Sequence, residues 1–480
     1  MRCYIITVKS SIHSLAPTHL DVVLQAADDV TAHGGAVIID ALARDFGLGE
    51  KIKALPVFDH RTDLTRGYTS DLLIAQILIS FCTGGINIAD AGRLADDTAL
   101  ARLLGFPRMA DASTLARWLN RQTPAANEAL WGLTREFLAW VMPRIPAKRL
   151  LHHGKTGPPK LDIFFDDTQI EVHGHHFENT SMNYEGDTSY SWQTVWTGPF
   201  IAAARLDKGS VDPSVHLAFL LHDTQSLWAA YADQNLAHFY ADSGSSAGKY
   251  LNKIDQRGWS WSVSYNKWTT TLDKLADATP DDQWSAAIPS RDRKGQAILE
   301  QHTWLRHQPG EDCERGQDFA CVRYRAADGS EFLWRYAYIV CGPGKGQTVP
   351  RHQPETARDI FPLHHHKGQL EHGFTNLLSD LDLHHPPCQR FAANEMWYTL
   401  GALAHNLLRA VQLLHMQEDQ QSHRVRQLIR WWMTVPVKIS RHAHRSSARY
   451  YVPRAALDWW RVMLKKVWPK RPKGRPPLGG

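Results

Sequence analysis

Apolar and polar residues alternate along residues 161–168, and the alternation runs out into two adjacent carboxylates. Leu161, Ile163 and Phe165 share one face of an extended chain, and Asp166 and Asp167 follow directly. This pattern predicts a buried strand that ends in an acid and holds it at the rim of a sheet, where a divalent cation can bind. An ordinary strand followed by an Asp-Asp-Thr turn fits the same residues, because Asp is a common turn residue.

Other short apolar runs predict further strands of the same mixed sheet. Residues 236–241 form such a run, and Asp242 follows it before a Ser-Gly turn. Residues 198–206 and 216–221 are also predicted to be strands.

The 129 positions between Asp242 and Glu371 exceed what one connection between neighbouring elements requires. Within them, two aromatic, alternating segments at 321–325 and 331–341 are separated by Ala-Asp-Gly-Ser, which predicts a hairpin.

The first 150 residues are predicted to be mostly helical. Residues 71–81 read as a buried helix with Ser70 as N-cap, and residues 94–104 as a second helix. Residues 113–119 begin with Ser-Thr and carry Arg117 and a tryptophan, as a DNA-recognition helix does. A core helix with an incidental Arg117 is an equal alternative.

Composition limits the class of protein. The chain has 480 residues, 43% of them hydrophobic and 21% charged, as in ordinary globular proteins with more than one domain. The chain has no run of eighteen apolar residues, so no membrane span is predicted. Its six cysteines include no C-x-x-C pair, which favours a reducing cytoplasm and argues against a zinc site.

The positive charge is concentrated near the end of the chain. Residues 424–480 hold 15 Lys or Arg and one acid, a charge of +14, so the rest of the chain carries −9 of the total +5. Aromatic residues lie between these cations, which is typical of phosphate contact with base stacking; a solvated basic tail is the alternative. The DNA-binding candidates here are Arg441, Arg445, Lys465 and Lys466. Residues after Pro469 are rich in Pro and Gly and are predicted to be disordered in isolation.

Three acids on separate predicted elements complete the pattern: Asp166, Asp242 and Glu371. Their local sequences are Asp166-Asp167-Thr168, Ala241-Asp242-Ser243-Gly244 and Lys367-Gly368-Gln369-Leu370-Glu371. In order and spacing these motifs resemble the DDE transposases of bacterial insertion sequences, most closely the thirteen-eighty group, over residues 68–408.

The resemblance implies an α/β fold, with an RNase H-like mixed sheet flanked by helices, an N-terminal helical domain and a β-rich insertion before the last acid. It also implies that Asp166, Asp242 and Glu371 bind two Mg²⁺ ions, for which Mn²⁺ substitutes, and catalyse cleavage of element ends and their joining to target DNA. Lys367 lies one helical turn before Glu371, where it can contact a phosphate.

Two features depart from the family pattern. In a related signature His364 occupies a Tyr position and Leu378 a final Lys position, so the DNA contacts of both are open. The first acid is also open between Asp162, Asp166 and Asp167, although the Asp-x-Thr register favours Asp166. Trp304 or Trp334 of the insertion is a candidate for stacking on a flipped base, with core packing as the alternative.

The resemblance further implies a division of the chain and a set of partners. The expected segments are a DNA-end-binding domain (1–150), a split catalytic domain (160–285 and 356–415), the insertion (286–355) and a basic C-terminal region (416–480). Expected partners are terminal inverted repeats and target DNA, bound by a homodimer in the bacterial cytoplasm at the nucleoid. The alternatives are a catalytically decayed DNA-binding protein and an RNase H-like nuclease without strand transfer.

Overall fold

The computed structural model describes residues 4–8, 20–24, 27–152, 158–174, 176–266, 269–292, 294–442 and 445–468. Fifteen β-strands lie in these ranges: β1 (Tyr4–Val8), β2 (Leu20–Leu24), β3 (Val30–Thr31), β4 (Leu161–Glu171), β5 (Ser181–Met182), β6 (Thr188–Thr197), β7 (Phe200–Lys208), β8 (Ala237–Ala241), β9 (Ser260–Tyr265), β10 (Ile288–Arg291), β11 (Ala297–His307), β12 (Gln317–Ala326), β13 (Arg335–Gly342), β14 (Val437–His442) and β15 (Arg445–Tyr450). The predicted disorder after Pro469 falls outside the described residues.

The same ranges hold sixteen α-helices. They are α1 (Ala36–Phe46), α2 (Leu48–Lys53), α3 (Ser70–Cys82), α4 (Ile88–Arg93), α5 (Thr98–Leu104), α6 (Ala112–Leu119), α7 (Pro124–Val141), α8 (Ala147–Leu150), α9 (Leu217–Asp233), α10 (Gly248–Asp255), α11 (Thr269–Ala278), α12 (Ile360–His365), α13 (Gln369–Phe374), α14 (Phe391–His415), α15 (Val425–Leu428) and α16 (Leu457–Val467).

Five strands form the centre of a mixed sheet in the order β7-β6-β4-β8-β9. The strands β7, β6 and β4 are antiparallel neighbours, whereas β4, β8 and β9 run parallel. The parallel steps are bridged by α9 and α10, as crossovers between parallel strands require. This is the RNase H-like mixed sheet that the sequence predicts.

The insertion extends the same sheet. Strand β13 pairs antiparallel with β9, and β12, β11 and β10 follow outward, so the full sheet has ten strands. The predicted hairpin is confirmed, because β12 pairs with β13 from Tyr324 opposite Arg335 to Asp318 opposite Cys341.

One strand prediction is wrong. Residues 216–221 belong to the start of α9 and not to a strand. The buried residues of α9 recur at helical spacing, at Leu217, Leu220, Leu221 and Thr224, so the period of burial is that of a helix. The first six residues are apolar at nearly every step, and such a short run does not distinguish the two periods.

The N-terminal helices form as predicted, with different ends. Thr69 occupies the N-cap position of α3 without a side-chain capping hydrogen bond, and Ser70 is the first helical residue, whose hydroxyl donates to the carbonyl of Phe58. The predicted helix at 94–104 is a short 3₁₀ turn followed by α5, because the Asp97 side chain caps α5 at the Leu100 amide.

The long helix α14 joins the N-terminal helices to the sheet. It is buried on nearly all sides: small and apolar residues make up most of its length, and polar residues such as Glu395 and Asn406 are buried among them. Its contacts include α3, α7 and β7, and the Trp397 ring lies 4.6 Å from that of Phe81. The helices therefore pack onto the sheet through one continuous hydrophobic core.

The C-terminal region returns to the N-terminal one. Strand β14 pairs with β3 and β15, and α16 packs on α1. Within the described ranges, no helix combines the length and the apolar character that crossing a bilayer demands.

Candidate active site

Two of the predicted acids follow neighbouring parallel strands at the same edge of the sheet. In the register of β4 and β8, Phe164 lies opposite Tyr240, so Asp166 and Asp242 each follow two positions later. The sequence placed Asp166 at the end of its strand, but β4 continues to Glu171. The pairing of β4 with β8 ends before Asp166, whereas the pairing of β4 with β6 continues and places Asp166 opposite Thr194.

The third acid lies over this edge. Residues 360–380 form one helical segment in which Glu371 belongs to α13 and is exposed. A cavity of about 350 Å³ is lined by Asp166, Lys367 and Glu371 together. Asp242 is near enough for its charge to act on Asp166. The structure thus brings both Asp242 and Glu371 close to Asp166, although Glu371 lies more than 200 positions after Asp166 in the sequence.

Asp166 has a largely buried carboxylate that lies beside a lysine. Burial raises the pKa of its carboxyl, the Lys367 ammonium opposes this shift, and the negative charge of Asp242 adds to it. The Lys367 Nζ donates to Asp166 Oδ2 over 3.0 Å, and both side chains are about four-fifths buried. The Lys367 ammonium therefore favours the ionised form of Asp166.

The neighbouring acid Asp167 is held apart from this cavity. Its carboxylate accepts hydrogen bonds from the Ser191 hydroxyl at 2.5 Å and from Gln169 Nε2 at 3.0 Å. Burial raises the pKa of Asp167 to about 6, and the two hydrogen bonds oppose that shift. Since successive strand residues point to opposite faces of the sheet, the side chains of Asp166 and Asp167 have different neighbours.

The third candidate for the first acid, Asp162, has its own partners. It is 5% exposed, accepts a hydrogen bond from the Tyr240 hydroxyl and contacts the His366 ring. Of the three candidates, Asp166 is the one that lines the described cavity together with Glu371.

His364 also lines this cavity, although it is only 5% exposed. Its ring nitrogens contact the hydroxyls of Ser262 and Ser264 at 3.0 and 2.7 Å. Burial lowers its pKa to about 4, and the positive charge of Lys367 adds to the effect. A DNA contact by His364 stays a prediction. Leu378, at the other departing position, is buried in the core.

Arg117 lies away from the acids, in a basic cavity of about 390 Å³ among the N-terminal helices. The other cationic side chains that line it are Arg61, Arg108 and Arg121. Arg61 is paired with Asp59, and the Arg108 guanidinium lies 4.4 Å from the Tyr68 ring centroid. The sequence singled out Arg117 alone, because the four arginines are spread over sixty positions and carry no common motif.

The C-terminal candidates lie on three elements. Arg441 is exposed on β14, Arg445 begins β15, and Lys465 and Lys466 are exposed on α16. Of the aromatic residues between these cations, Trp432, Trp459, Trp460 and Tyr450 pack on one another, whereas Trp431 and Tyr451 are about half exposed.

The insertion holds the two tryptophans considered for base stacking. Trp304 donates from its ring nitrogen to the Thr356 hydroxyl at 2.9 Å. Trp334 lies between the guanidinium groups of Arg323 and Arg325. Next to it, Phe332 and Leu333 are more than four-fifths exposed at the tip of the hairpin.

A family model described as transposase DDE domain group 1 matches residues 21–450. Because the match spans most of the chain, the chain belongs to this family. Membership supports a transposase role and implies DNA binding, and such transposases generally use divalent metals. A search of curated proteins finds no match. The narrower thirteen-eighty assignment stays a prediction.

Proposed function

We propose that the protein cuts the ends of an insertion sequence and joins them to target DNA, with Asp166, Asp242 and Glu371 as its catalytic acids. The observation that carries this proposal is the meeting of Asp166 and Asp242 at one sheet edge, together with a cavity that Asp166 and Glu371 both line. Family membership supports the same class of reaction.

The donor set fits magnesium. All three groups offer carboxylate oxygens, which Mg²⁺ prefers, and the same oxygens accept Mn²⁺. Burial raises the pKa of Asp166, and the Lys367 ammonium, which donates to its carboxylate, favours the ionised form that a metal ion would bind. Asp166, Asp242 and Glu371 would hold the metal ions. Bound divalent cations would lower the cost of the negative charge that builds up on the phosphoryl group and the leaving oxygen.

The residues of the chain supply binding and orientation. Strand β4, paired with β6 on one side, fixes Asp166, and the Asp242 carboxylate is oriented by the Gly244 amide at 2.9 Å. Lys367 lies at the cavity and can donate to a phosphate oxygen of the bound strand. Two reactions follow at the same acids: hydrolysis that frees a 3′ hydroxyl, and attack of that hydroxyl on target DNA.

The DNA path is proposed to use the two basic surfaces. The four arginines of the N-terminal cavity suit an element end, as expected for a DNA-end-binding domain at 1–150. The exposed cations Arg441, Lys465 and Lys466 suit flanking or target DNA. We also propose that the protein binds DNA as a homodimer, that the chain is divided into the five predicted segments, and that it acts at the nucleoid of the bacterial cytoplasm.

The test is cleavage of labelled terminal-repeat DNA in Mg²⁺ by Asp166→Asn, Asp242→Asn and Glu371→Gln. Each substitution removes a charge with little change in size, so we expect cleavage to fall by at least about 1,000-fold, roughly 4 kcal/mol of barrier, while end binding is kept. Asp167→Asn is the matched control, since its carboxylate is bonded to Ser191 and Gln169; it should retain most of the cleavage.

Cleavage that persists in any of the three variants removes that acid from the site. Joining of the cut end to a target plasmid separates a transposase from a nuclease without strand transfer. A wild-type chain that binds ends but never nicks them is the decayed DNA-binding protein.

A further inference from the structure

Among the described residues, three metal-ligating side chains meet outside the acidic cavity: His152, Asp162 and His366. Their ligand atoms all lie within 4.8 Å of one another. His366 Nε2 is 2.8 Å from Asp162 Oδ2, and His152 Nδ1 is 3.9 Å from Asp162 Oδ1. The three residues come from distant parts of the chain, so the fold, and not a local motif, brings them together.

The position of the cluster is well defined. Asp162 lies on β4, on the same face as Asp166 and four residues before it, a distance of about 13 Å along a strand. His366 directly precedes Lys367. Two consecutive residues of the helical segment therefore contact two acids of one strand, His366 with Asp162 and Lys367 with Asp166. His152 comes from the segment that leads from α8 into β4, where it pairs with Lys160.

The donor chemistry differs from that of the acidic cavity. Two imidazoles and one carboxylate suit Zn²⁺, which takes three protein ligands and a fourth from solvent, whereas Mg²⁺ disfavours imidazole. A cavity of about 760 Å³ is lined by all three residues and gives an ion a path of entry. The Tyr240 hydroxyl donates to Asp162 Oδ1 at 3.1 Å, as an outer partner of a ligating carboxylate does.

Two features of the cluster determine how its side chains could bind an ion. The rings of His152 and His366 stack in parallel with centroids 3.5 Å apart, so each ring must turn to aim its nitrogen at one ion. Lys160, whose charge also reaches Asp162, donates its ammonium to the Ser260 hydroxyl at 2.7 Å. A dication held by the carboxylate is compatible with that arrangement, because the ammonium is engaged elsewhere.

We propose that His152, Asp162 and His366 bind a zinc ion that fixes the helical segment 360–380 on β4. The ion would hold His366, and with it Lys367 and Glu371, at one register along the strand, and would tie the entry segment at His152 to the same point. This positioning role rests on the proposed function of Glu371. Zinc binding itself does not depend on it, and it runs against the sequence analysis, in which a zinc site is not favoured.

The test measures metal content and affinity on the full chain without a histidine tag. The protein is purified, its zinc is measured by elemental analysis, and Zn²⁺ affinity is obtained by competition with a chromophoric chelator. We expect about one zinc per chain. His366→Ala and Asp162→Asn should weaken Zn²⁺ binding by more than about 100-fold, beyond the roughly 10–100-fold typical of an outer partner, which is the effect expected for Tyr240→Phe.

Two controls locate the ion. His385→Ala removes an exposed histidine that pairs with Asp382 and should leave zinc unchanged. The double variant Asp166→Asn, Asp242→Asn should lose DNA cleavage and keep its zinc. His366→Gln, compared by circular dichroism with the wild type, separates loss of a ligand from loss of fold.

The proposal is overturned if the wild type binds Zn²⁺ no more tightly than His366→Ala, or if zinc disappears with Asp166 and Asp242. A wild type that keeps zinc at the three residues but never cleaves DNA would defeat the proposed function and leave the zinc site standing.

Discussion

At the scale of single residues, the site shows how buried carboxylates are tolerated in this fold. Asp166, Asp167 and Asp162 lie within six positions of one strand, and each is compensated differently. Asp166 has the Lys367 ammonium, Asp167 has a hydroxyl and an amide, and Asp162 has a phenol and an imidazole. An unpaired charge at any of these depths would cost several kcal/mol, so the compensating groups determine which carboxylate stays available to a cation.

Glu395 on α14 is a buried acid without such compensation, and it makes stability depend on pH. It is 5% exposed, and burial raises its pKa to about 7 from an ordinary 4.5, with only the charge of Arg205 opposing the shift. The folded protein therefore binds this proton more tightly than the unfolded chain does. The stabilisation is present below pH 4.5 and is lost as the pH rises through 7.

Glu395→Gln should remove that loss. We expect its free energy of unfolding in urea to exceed that of the wild type at pH 8 by roughly 3 kcal/mol, because the pKa of Glu395 rises from 4.5 to about 7, and to match it near pH 4.5. The exposed Glu311→Gln serves as control. Equal stabilities of Glu395→Gln and the wild type at pH 8 would show that Glu395 is ionised at no cost.

At the scale of elements, short apolar or aromatic runs predicted strands even where both faces are covered, as in β8, and prediction was weakest for a covered strand that is rich in polar residues. The hairpin of β12 and β13 was predicted because its aromatic and polar residues alternate. Strand β6 was not predicted, since it is buried at nine of its ten positions and its Ser, Gln and Thr residues resemble a loop. Helix α9 was mistaken for a strand because its first turn is apolar at nearly every step.

The docking of α14 on the sheet depends on one amide. Asn406 is fully buried; its Oδ1 accepts from the Ile201 amide at 2.9 Å, and its Nδ2 donates to the Ile201 carbonyl at 2.8 Å. Strand β7 pairs only with β6 among the described strands, next to a bulge at Val195 and Trp196. Asn406 therefore supplies the hydrogen bonds that a further strand would give to this edge.

Asn406→Ala should destabilise the fold strongly. It leaves two buried backbone groups without partners, at roughly 1–3 kcal/mol each, so we expect a loss of roughly 2–6 kcal/mol in urea unfolding. Asn266→Ala, at an exposed position, should change stability by less than about 0.5 kcal/mol. A variant at 406 as stable as this control would mean that water replaces the amide.

At the scale of the whole molecule, the sequence predicted which acids meet but not what surrounds them. The motif order selected Asp166, Asp242 and Glu371, and alternation alone separates Asp167 from Asp166. Asp162 shares the face of Asp166 but has different partners. It lies where β4 still pairs with β8, and the helical segment that crosses β4 places His366 against it. Contacts of that kind join residues about 200 positions apart, and no local pattern encodes them.

The distribution of charge over the molecule leads to the last prediction. The part of the chain before residue 424 carries a charge of −9, yet its N-terminal helices gather four arginines around one cavity. In an otherwise acidic part of the chain, such a local reversal of sign favours a bound polyanion. Arg117 and Arg121 are both exposed at this cavity, so their removal should not disturb the fold.

The double variant Arg117→Ala, Arg121→Ala should weaken binding to terminal-repeat DNA and flatten its dependence on salt. Each phosphate contact that is lost should reduce the slope of log K against log salt by about 1, so we expect a reduction of about 2, with cleavage per bound complex unchanged. The measurement is fluorescence anisotropy between 50 and 200 mM salt, with Arg44→Ala, an exposed arginine paired with Asp40, as control. If the slopes of the double variant, the control and the wild type coincide, DNA does not pass this cavity, and the element end must be bound elsewhere, with the cations of β14 and α16 as the next surface to test.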